Sequence, residues 1–493
     1  MPFVDLDALI EQRSGKLIPE MFAEQGEAEF RRLETVVLRE VLAKRGQVIA
    51  TGGGALIDSA NRARALQRGL VVTLEAKPEV IVQRVGNSAR PMLGSGDRTG
   101  RVRDLLAARE PAYAATHCRI DTSERTPEQV AEEVVRAWTQ VRVELGERSY
   151  PIHIGRGALD ALPRAVADAG HTRAVIVTHP ALGRRFGAPL LSALKKEGVA
   201  ATMLGVRAGE ATKSLRSADR LYAAFLKAGL DRRGCVIALG GGVVGDLAGY
   251  AAATYLRGVA VYQAPTTLLA QVDSAIGGKT AVNHPAGKNL VGAFWQPRAV
   301  FCDLATLDRL PLAELRSGLA EVIKYGILFD QHFFAFCEEE MPALLEREPA
   351  CLHYAVRRCA AFKARVVMRD ERDEGGERAL LNLGHTVGHA LENVLGYGAI
   401  RHGEAVAIGT VVAARLAVKM GLFAPADLER ITALYRAAGL PVSLPPVDRA
   451  ALLAAVRRDK KMVGGKLRMV LPIAIGAAEV REVGEEALGA VLQ

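Results

Sequence analysis

The chain has 493 residues, 49% of them hydrophobic and 24% charged, with a formal net charge of +9. That length is too great for one core and predicts roughly three units of about 150 residues, each apolar enough to fold, which excludes a disordered, collagen-like or disulfide-stapled chain. The excess of basic residues comes as scattered pairs (Arg184-Arg185, Arg232-Arg233, Arg357-Arg358) without aromatic-rich or zinc-finger spacing, so it points to small anionic substrates or plain solubility and away from nucleic acid.

The N-terminus (Met1-Pro2-Phe3-Val4-Asp5) has no leader pattern, and no apolar run is long enough to span a membrane. Six cysteines without a CxxC pair predict reduced, buried thiols and a cytoplasmic setting. Over residues 1–138, short strands at 46–51 and 70–74 alternate with amphipathic helices, the last at 127–138. Residues 141–145 and 150–154 alternate apolar and polar side chains around Gly146-Glu147, a hairpin signal that opens a second domain. An α/β pattern follows to about 304, with buried-strand runs at 174–177 and 235–239. From 305 the periodicity is helical until a strand at 467–475.

The first motif is Gly52-Gly53-Gly54, where a strand empties into glycines; it is either an anion-binding loop or a tight turn. Around it, in order, stand Phe3-Val4-Asp5-Leu6-Asp7, the run FAEQGEAEFRRLE at 22–34, Arg90-Pro91 and Arg109-Glu110-Pro111-Ala112-Tyr113. Residues 1–138 thereby resemble shikimate kinase, a P-loop-kinase-like α/β fold. The resemblance implies that Asp7 accepts a substrate hydroxyl, Arg31 and Arg109 clamp a carboxylate, and Gly53 packs on the ring. It also implies that Arg90 meets ATP phosphates and that Asp5 sits near magnesium. Members of that family open with a GxxxxGK[ST] loop that holds the nucleotide. No such loop precedes Phe3, and Gly278-Lys279-Thr280 lacks the first glycine, Asp273 standing in its place. The expectation is an incomplete kinase domain with an unpaired strand edge. Such a domain is inactive as it stands, uses magnesium-ATP only in a complete form, and serves otherwise as a relic or docking module.

Further along, Leu239 ends a buried run and Gly240-Gly241-Gly242-Val243-Val244-Gly245-Asp246 follows, a GxGxxG pattern before an apolar helix at 247–255. It suits a pyrophosphate at a helix N-terminus, or a turn alone. Lys279 and Lys288, nine apart in glycine-rich sequence, either converge on a phosphate or are solvated. Leu315, Leu319, Val322 and Ile323 make an apolar helix face, with Glu321 and Lys324 one turn apart as an exposed ion pair or as site residues. Asn382, His385, His389, Glu392 and His402 then cluster. Two imidazoles and a carboxylate describe an open catalytic zinc site, and the helical spacing nominates His385 and His389 as the imidazole pair.

GGGVVGDLAG, PTTLLAQVDSAIGGKTAVN, GLAEVIKYG, LNLGHTVGHALE, RHGEAVAIG and RDKK together resemble 3-dehydroquinate synthase from about residue 141 to the end. The resemblance implies an α/β NAD-binding domain at 141–304 and a mainly α-helical metal-binding domain at 305–493. It makes Glu321, His385 and His402 the ligands of zinc or cobalt and gives His389 to the substrate phosphate and proton transfer. Glu210, Lys213, Gly242, Val243, Val244, Gly245, Asp246, Thr266, Thr267 and Asp273 line the NAD site, with Lys279 and Lys288 at its edge. Lys279, Lys288, Asn289, Lys324, Arg257, Lys363, Arg378 and Asn382 surround the substrate, together with Lys460 or Lys461. Arg309 replaces a usual threonine, and the stretch 370–378 is one residue longer than usual, which leaves the role of Glu374 open. The implied substrate is 3-deoxy-arabino-heptulosonate 7-phosphate. NAD oxidises its C5 hydroxyl, phosphate is eliminated, the ketone is reduced again, and an aldol step closes the ring. Another sugar-phosphate cyclase and a polyol dehydrogenase are the rival readings. A homodimer is compatible with all of them, and no membrane or nucleic-acid partner is expected.

Overall fold

The computed structural model describes residues 1–86, 97–285, 287–396, 398–458, 462–463 and 466–492. Its contacts divide into two units, Met1–Trp138 and Thr139–Gln493. No helix among the described residues is long and apolar enough to cross a membrane.

In the first unit, β1 (Phe3–Asp5) pairs in parallel with β2 (Val48–Ala50), and β3 (Val72–Glu75) pairs in parallel with β4 (Cys118–Asp121). The expected strands are thus present but shorter than their apolar runs. They form two separate pairs, with Phe3, Val48 and Leu74 exposed. Among the described residues six helices surround them: α1 (Leu6–Ser14), α2 (Ile18–Leu42), α3 (Ser59–Arg68), α4 (Pro78–Val85), α5 (Arg98–Ala114) and α6 (Pro127–Thr139). Asp5 caps α1, its Oδ1 accepting from the Ala8 N–H at 3.2 Å. Gly26, at φ 78°, breaks α2 into two segments. Leu6, Ile10, Phe30, Val37, Leu38 and Ala55 form the buried core of this unit.

The second unit opens on the expected hairpin, β5 (Gln140–Val143) antiparallel to β6 (Tyr150–Gly155). After α7 (Leu162–Asp168) come β7 (Arg173–Thr178), α8 (Pro180–Leu182), α9 (Ala188–Lys196), β8 (Ala200–Gly205), α10 (Leu215–Lys227), β9 (Cys235–Gly240), α11 (Gly242–Thr254) and β10 (Ala260–Pro265). A second hairpin, β11 (Lys279–His284) with β12 (Gly287–Phe294), precedes β13 (Ala299–Asp303). The main sheet runs β5-β6-β13-β10-β9-β7-β8 and is parallel apart from β5. Side chains alternate between its faces as strand geometry requires. Val175, Val177, Val236 and Ala238 pack with Leu221, Phe225 and Leu247, whereas Ala174, Ile176, Cys235 and Ile237 pack with Leu162, Val166 and Leu194. Helices cover both faces, which explains the uninterrupted apolar runs. The chain leaves β7 for β8 at one edge, then returns to β9 and proceeds the other way. The C-terminal ends of β7 and β9 therefore flank a topological switch point, the usual crevice for a ligand in such sheets.

The remainder is helical: α12 (Leu312–Phe329), α13 (Gln331–Leu345), α14 (Pro349–Arg369), α15 (His385–Leu395), α16 (His402–Lys419), α17 (Pro425–Ala437) and α18 (Arg449–Arg458). A small antiparallel sheet, β14 (Met462–Val463), β15 (Lys466–Ala474) and β16 (Ala477–Val483), and α19 (Glu485–Gly489) close the chain. From Ser317 to Leu328 every residue of α12 is buried, so this part of the helix has no solvent face, although its first turn is exposed. That overturns an exposed Glu321–Lys324 pair: their side chains are 0% and 1% exposed.

Candidate active site

Three helices meet around Glu321. Gly403 lets α16 approach α12 so closely that a Cβ there would collide with the Ser317 backbone, and Gly384, at φ 79°, turns the chain into α15 against Thr410 of α16. His385 begins α15 and His402 begins α16, so both imidazoles reach Glu321 from helix N-termini. His385 Nε2 lies 3.7 Å and His402 Nε2 3.6 Å from Glu321 Oε1. These separations exceed a hydrogen bond but match neighbouring ligands of one tetrahedral ion, which stand about 3.3–3.6 Å apart when each bond is about 2.0–2.2 Å. One ligand atom from each of the three residues falls within 4.8 Å of the others. Both Glu321 oxygens are buried without a hydrogen bond, although the Lys324 ammonium pairs with Oε2. A buried carboxylate left so poorly bonded among two imidazoles fits a divalent cation.

Burial and the neighbouring charges shift these groups in opposite directions. Burial, reinforced by Lys324, His402 and His389, holds the His385 pKa well below the ordinary imidazole value and keeps a ring lone pair free. Burial opposes ionisation of Glu321, but Lys324 and His402 outweigh it and lower its pKa. Burial likewise opposes protonation of His402, yet the carboxylates of Glu321 and Glu392 on either side of the ring lift its pKa to about 9. His389 is exposed and groups instead with Glu392 and His402. The helical spacing of His385 and His389 does bring their rings to 5.3 Å, edge to face. It does not give them a shared carboxylate: His385 goes with Glu321, which comes from another helix.

A second charged cluster lies beside the first. Asp273 Oδ1 accepts from Lys363 Nζ at 2.6 Å and from the Tyr325 hydroxyl at 3.1 Å. Burial raises the cost of its charge, but Lys363 and Lys324 overcome it and hold the carboxyl well below the usual range. Lys324 Nζ also donates to Leu381 O at 2.7 Å, next to Asn382, and buried Arg378 donates to Gly277 O at 3.0 Å.

The glycine turn sits at the switch point, ending β9 and starting α11. A Cβ on Gly241 would stand 3.1 Å from Thr267 Cγ2, and one on Gly242 would stand 3.1 Å from Ser274 Oγ. The turn and the first amides of a 13-residue helix thus form a cradle that side chains would fill. Val244 packs beneath Gly240, Gly245 faces Gln263, and the Thr266 N–H donates to Gly240 O at 2.9 Å. Lys213 bridges Asp246 and Asn289, and burial pushes Asp246 up to about 6 against the pull of that lysine. Glu210 accepts from Asn283 Nδ2 at 2.7 Å, and the Asn289 N–H donates to Asn283 Oδ1 at 3.0 Å. The Asn283 N–H also donates to Lys213 O at 2.8 Å, so Asn283 joins three predicted residues through the contact of β11 with the segment around Ser214.

Lys279 and Lys288 do not converge across a loop. They occupy opposite ends of the β11–β12 hairpin, Lys279 opposite Phe294 and Lys288 next to the turn. Lys279 pairs with Asp373 at 2.6 Å, and Lys288 stands 3.7 Å from Glu392. Arg257 is exposed beyond the C-terminal end of α11, roughly 20 Å along the helix from the glycine turn at about 1.5 Å per residue. Arg309 is exposed, and Glu374 donates its N–H to Asp370 Oδ1 at 2.9 Å. Lys460 and Lys461 lie outside the described residues, as does Arg90.

The first unit holds a cluster of its own. Gly53 O accepts from the Tyr113 hydroxyl at 2.7 Å and from Arg109 Nη1 at 3.0 Å. Asp7 lies against Gly52 and Arg31 against Gly54, while Arg31 Nη1 donates to buried Glu34 at 2.8 Å. Asp7, Arg31, Gly53 and Arg109 are brought together around the glycine triplet. Tyr113, present in the motif without an assigned task, ties the turn to α5.

Family models match both units of the chain. Residues 203–317 match the 3-dehydroquinate synthase N-terminal model and residues 318–462 the C-terminal model, together more than half of the chain. The chain belongs to the 3-dehydroquinate synthase family. Ahead of the synthase part, residues 1–139 match the shikimate kinase model. Among solved structures, the synthase part resembles 2-deoxy-scyllo-inosose synthase complexed with carbaglucose-6-phosphate, NAD+ and Co2+. The identity is 25% and the TM-score 0.67, over 72% of this chain and 99% of that one. ValA, a 2-epi-5-epi-valiolone synthase from Streptomyces hygroscopicus subsp. jinggangensis 5008 with NAD+ and Zn2+ bound, is 28% identical with a TM-score of 0.65, covering 71% of this chain and 96% of that one. Sulfoacetaldehyde reductase from Bifidobacterium kashiwanohense, 15% identical with a TM-score of 0.52 over 69% of this chain and 95% of that one, shares the fold.

Proposed function

We propose that the second unit converts 3-deoxy-arabino-heptulosonate 7-phosphate to 3-dehydroquinate and phosphate, using regenerated NAD and one divalent metal. The observation that carries this reading is the convergence of Glu321, His385 and His402 on one point, within a chain whose family match spans both sides of the site. NAD and the metal, when bound, supply hydride exchange and polarisation of the hydroxyl being oxidised.

The chain's own residues do the rest. The Gly241–Gly242 turn and the start of α11 hold the dinucleotide phosphates, and Asp246, with Lys213, Glu210 and Asn283, shapes the neighbouring wall. Lys324, Lys363, Arg378, Asn382, Lys279, Lys288 and Asn289 hold the sugar acid and stabilise the departing phosphate dianion. His389, exposed beside the metal-ligand cluster, moves a proton to or from the substrate. Arg257 belongs to this proposal only as a more distant cation. In the first unit, the Asp7, Arg31, Gly53 and Arg109 cluster supports binding of a small hydroxylated carboxylic acid such as shikimate. ADP formation with shikimate and magnesium-ATP measures its kinase activity.

The decisive assay for the synthase follows phosphate release together with absorbance at the NADH wavelength. Phosphate should appear stoichiometrically with substrate consumed, with no net NADH, and should stop on chelation of the metal. Accumulating NADH would make the enzyme a dehydrogenase, and a better rate with a sugar phosphate lacking the carboxylate would make it another cyclase. Binding of the dinucleotide has its own test. Gly242→Val fills the cradle and is expected to weaken NAD binding at least about a hundredfold, roughly 2.7 kcal/mol, with metal content unchanged. Wild-type NAD affinity in a fluorescence titration would remove the turn from the site.

A further inference from the structure

Glu392 lies one turn beyond His389 on α15 and is 6% exposed. A carboxylate so buried must be paired, and its neighbours come from two other elements. Its Oε1 stands 3.5 Å from His402 Nδ1 at the start of α16 and 3.7 Å from Lys288 Nζ on β12. The other ring nitrogen of His402 faces Glu321 Oε1 at 3.6 Å. The imidazole of His402 is therefore spanned between two carboxylates, one on the metal side and one behind it. We propose that Glu392 is a positioning residue that sets the ring orientation of His402 for metal binding and couples that ring to Lys288 of the β11–β12 hairpin.

The inference rests on the ligand set of the proposed function and goes beyond it. A histidine ligand needs its second nitrogen anchored so that the lone pair of the first points at the ion, and a carboxylate does this while making the ring a stronger donor. His385 meets the same need differently, its Nδ1 lying 3.1 Å from Leu383 O. Each imidazole in the group thus has its own rear support. The second task follows from Lys288, which belongs to the hairpin rather than to the helices. Through Glu392, a lysine proposed to hold substrate is tied to a ring proposed to hold metal, so occupancy of one site is felt at the other.

The test uses the full-length chain, stripped of metal and titrated with zinc against a chromophoric chelator, with circular dichroism to follow folding. Glu392→Gln should keep the fold and weaken zinc binding about 10- to 100-fold, less than His402→Ala, which removes a ligand outright. Once loaded with excess zinc, Glu392→Gln should recover most of its kcat but keep a raised KM, because Lys288 has lost its tether. Glu392→Asp retains the charge but withdraws it by one methylene. It should fold even where the glutamine variant does not, and should show a smaller loss of zinc affinity. Zinc affinity unchanged in both Glu392 variants, with loss in His402→Ala, overturns the inference and leaves the ligand set standing. Unchanged affinity in His402→Ala overturns the ligand set and the inference with it. Two zinc ions in the wild type falling to one in Glu392→Gln would make Glu392 a ligand of a second ion with His389, and would also overturn it.

Discussion

Glu321→Gln, His385→Ala and His402→Ala are each expected to lose bound metal and, with it, phosphate release. The affinity loss should exceed the roughly 10- to 100-fold effect of disturbing an outer-shell partner, because three protein ligands are the smallest set that an open zinc site uses. His389→Ala should behave differently. Its ring is exposed and groups with Glu392 and His402 rather than with Glu321 and His385, so metal content should stay near one per chain. Turnover should fall about 10²- to 10⁴-fold, the range of a lost general acid or base. Metal analysis after gel filtration, followed by turnover with the metal resupplied, separates the two behaviours. Equal metal loss in His389→Ala and His385→Ala would restore the helical pair that spacing alone suggested.

Asp273→Ala is expected to destabilise the synthase unit by about 1–3 kcal/mol, the range for leaving one partner of a part-buried pair unsatisfied, since the Lys363 and Asp273 side chains are 12% and 25% exposed. The loss arises because Lys363 Nζ, held at 2.6 Å by Asp273, would keep a part-buried charge without its counter-ion. Double replacement, Asp273→Leu with Lys363→Met, should cost less than the single change, since no charge is then stranded. The pH dependence follows from the same pair. The Asp273 pKa is lower in the folded chain than in the unfolded one. Its contribution is therefore complete above the unfolded carboxylate value of about 4 and disappears as pH falls below it. The wild-type advantage over Asp273→Asn in urea unfolding should accordingly shrink between about pH 5 and the lowest pH at which the chain stays folded. A difference below 1 kcal/mol at neutral pH would mean that Lys363 finds another partner or water.

Much of the architecture can be read from residue order alone. The apolar runs at 174–177 and 235–239 are strands because both faces of a parallel sheet are covered and no alternation is needed. The hairpin around Gly146-Glu147 follows from period-two alternation between turn residues, and the glycine motif after β9 follows from the tight turn that any strand-to-helix anion cradle needs. The histidine cluster is equally local, with His385 and His389 one turn apart on a single helix.

Tertiary structure alone decided how those pieces meet. Glu321 is within a few ångströms of His385 and His402 because α12, α15 and α16 pack through glycines too close for any Cβ. Helical periodicity describes one face of one element and carries no information about which face of another helix lies against it. For the same reason helical period leaves Glu321 and Lys324 as either a surface pair or site residues until the stretch Ser317–Leu328 is found buried. Lys279 and Lys288 read as convergent until the hairpin register sends them to opposite ends and to different acids. Glu392 had no assigned task in its motif because its partners, His402 and Lys288, lie on other elements. Local propensity and period set the elements; the long-range packing of buried charges, which must find a partner wherever the chain brings one, set the site.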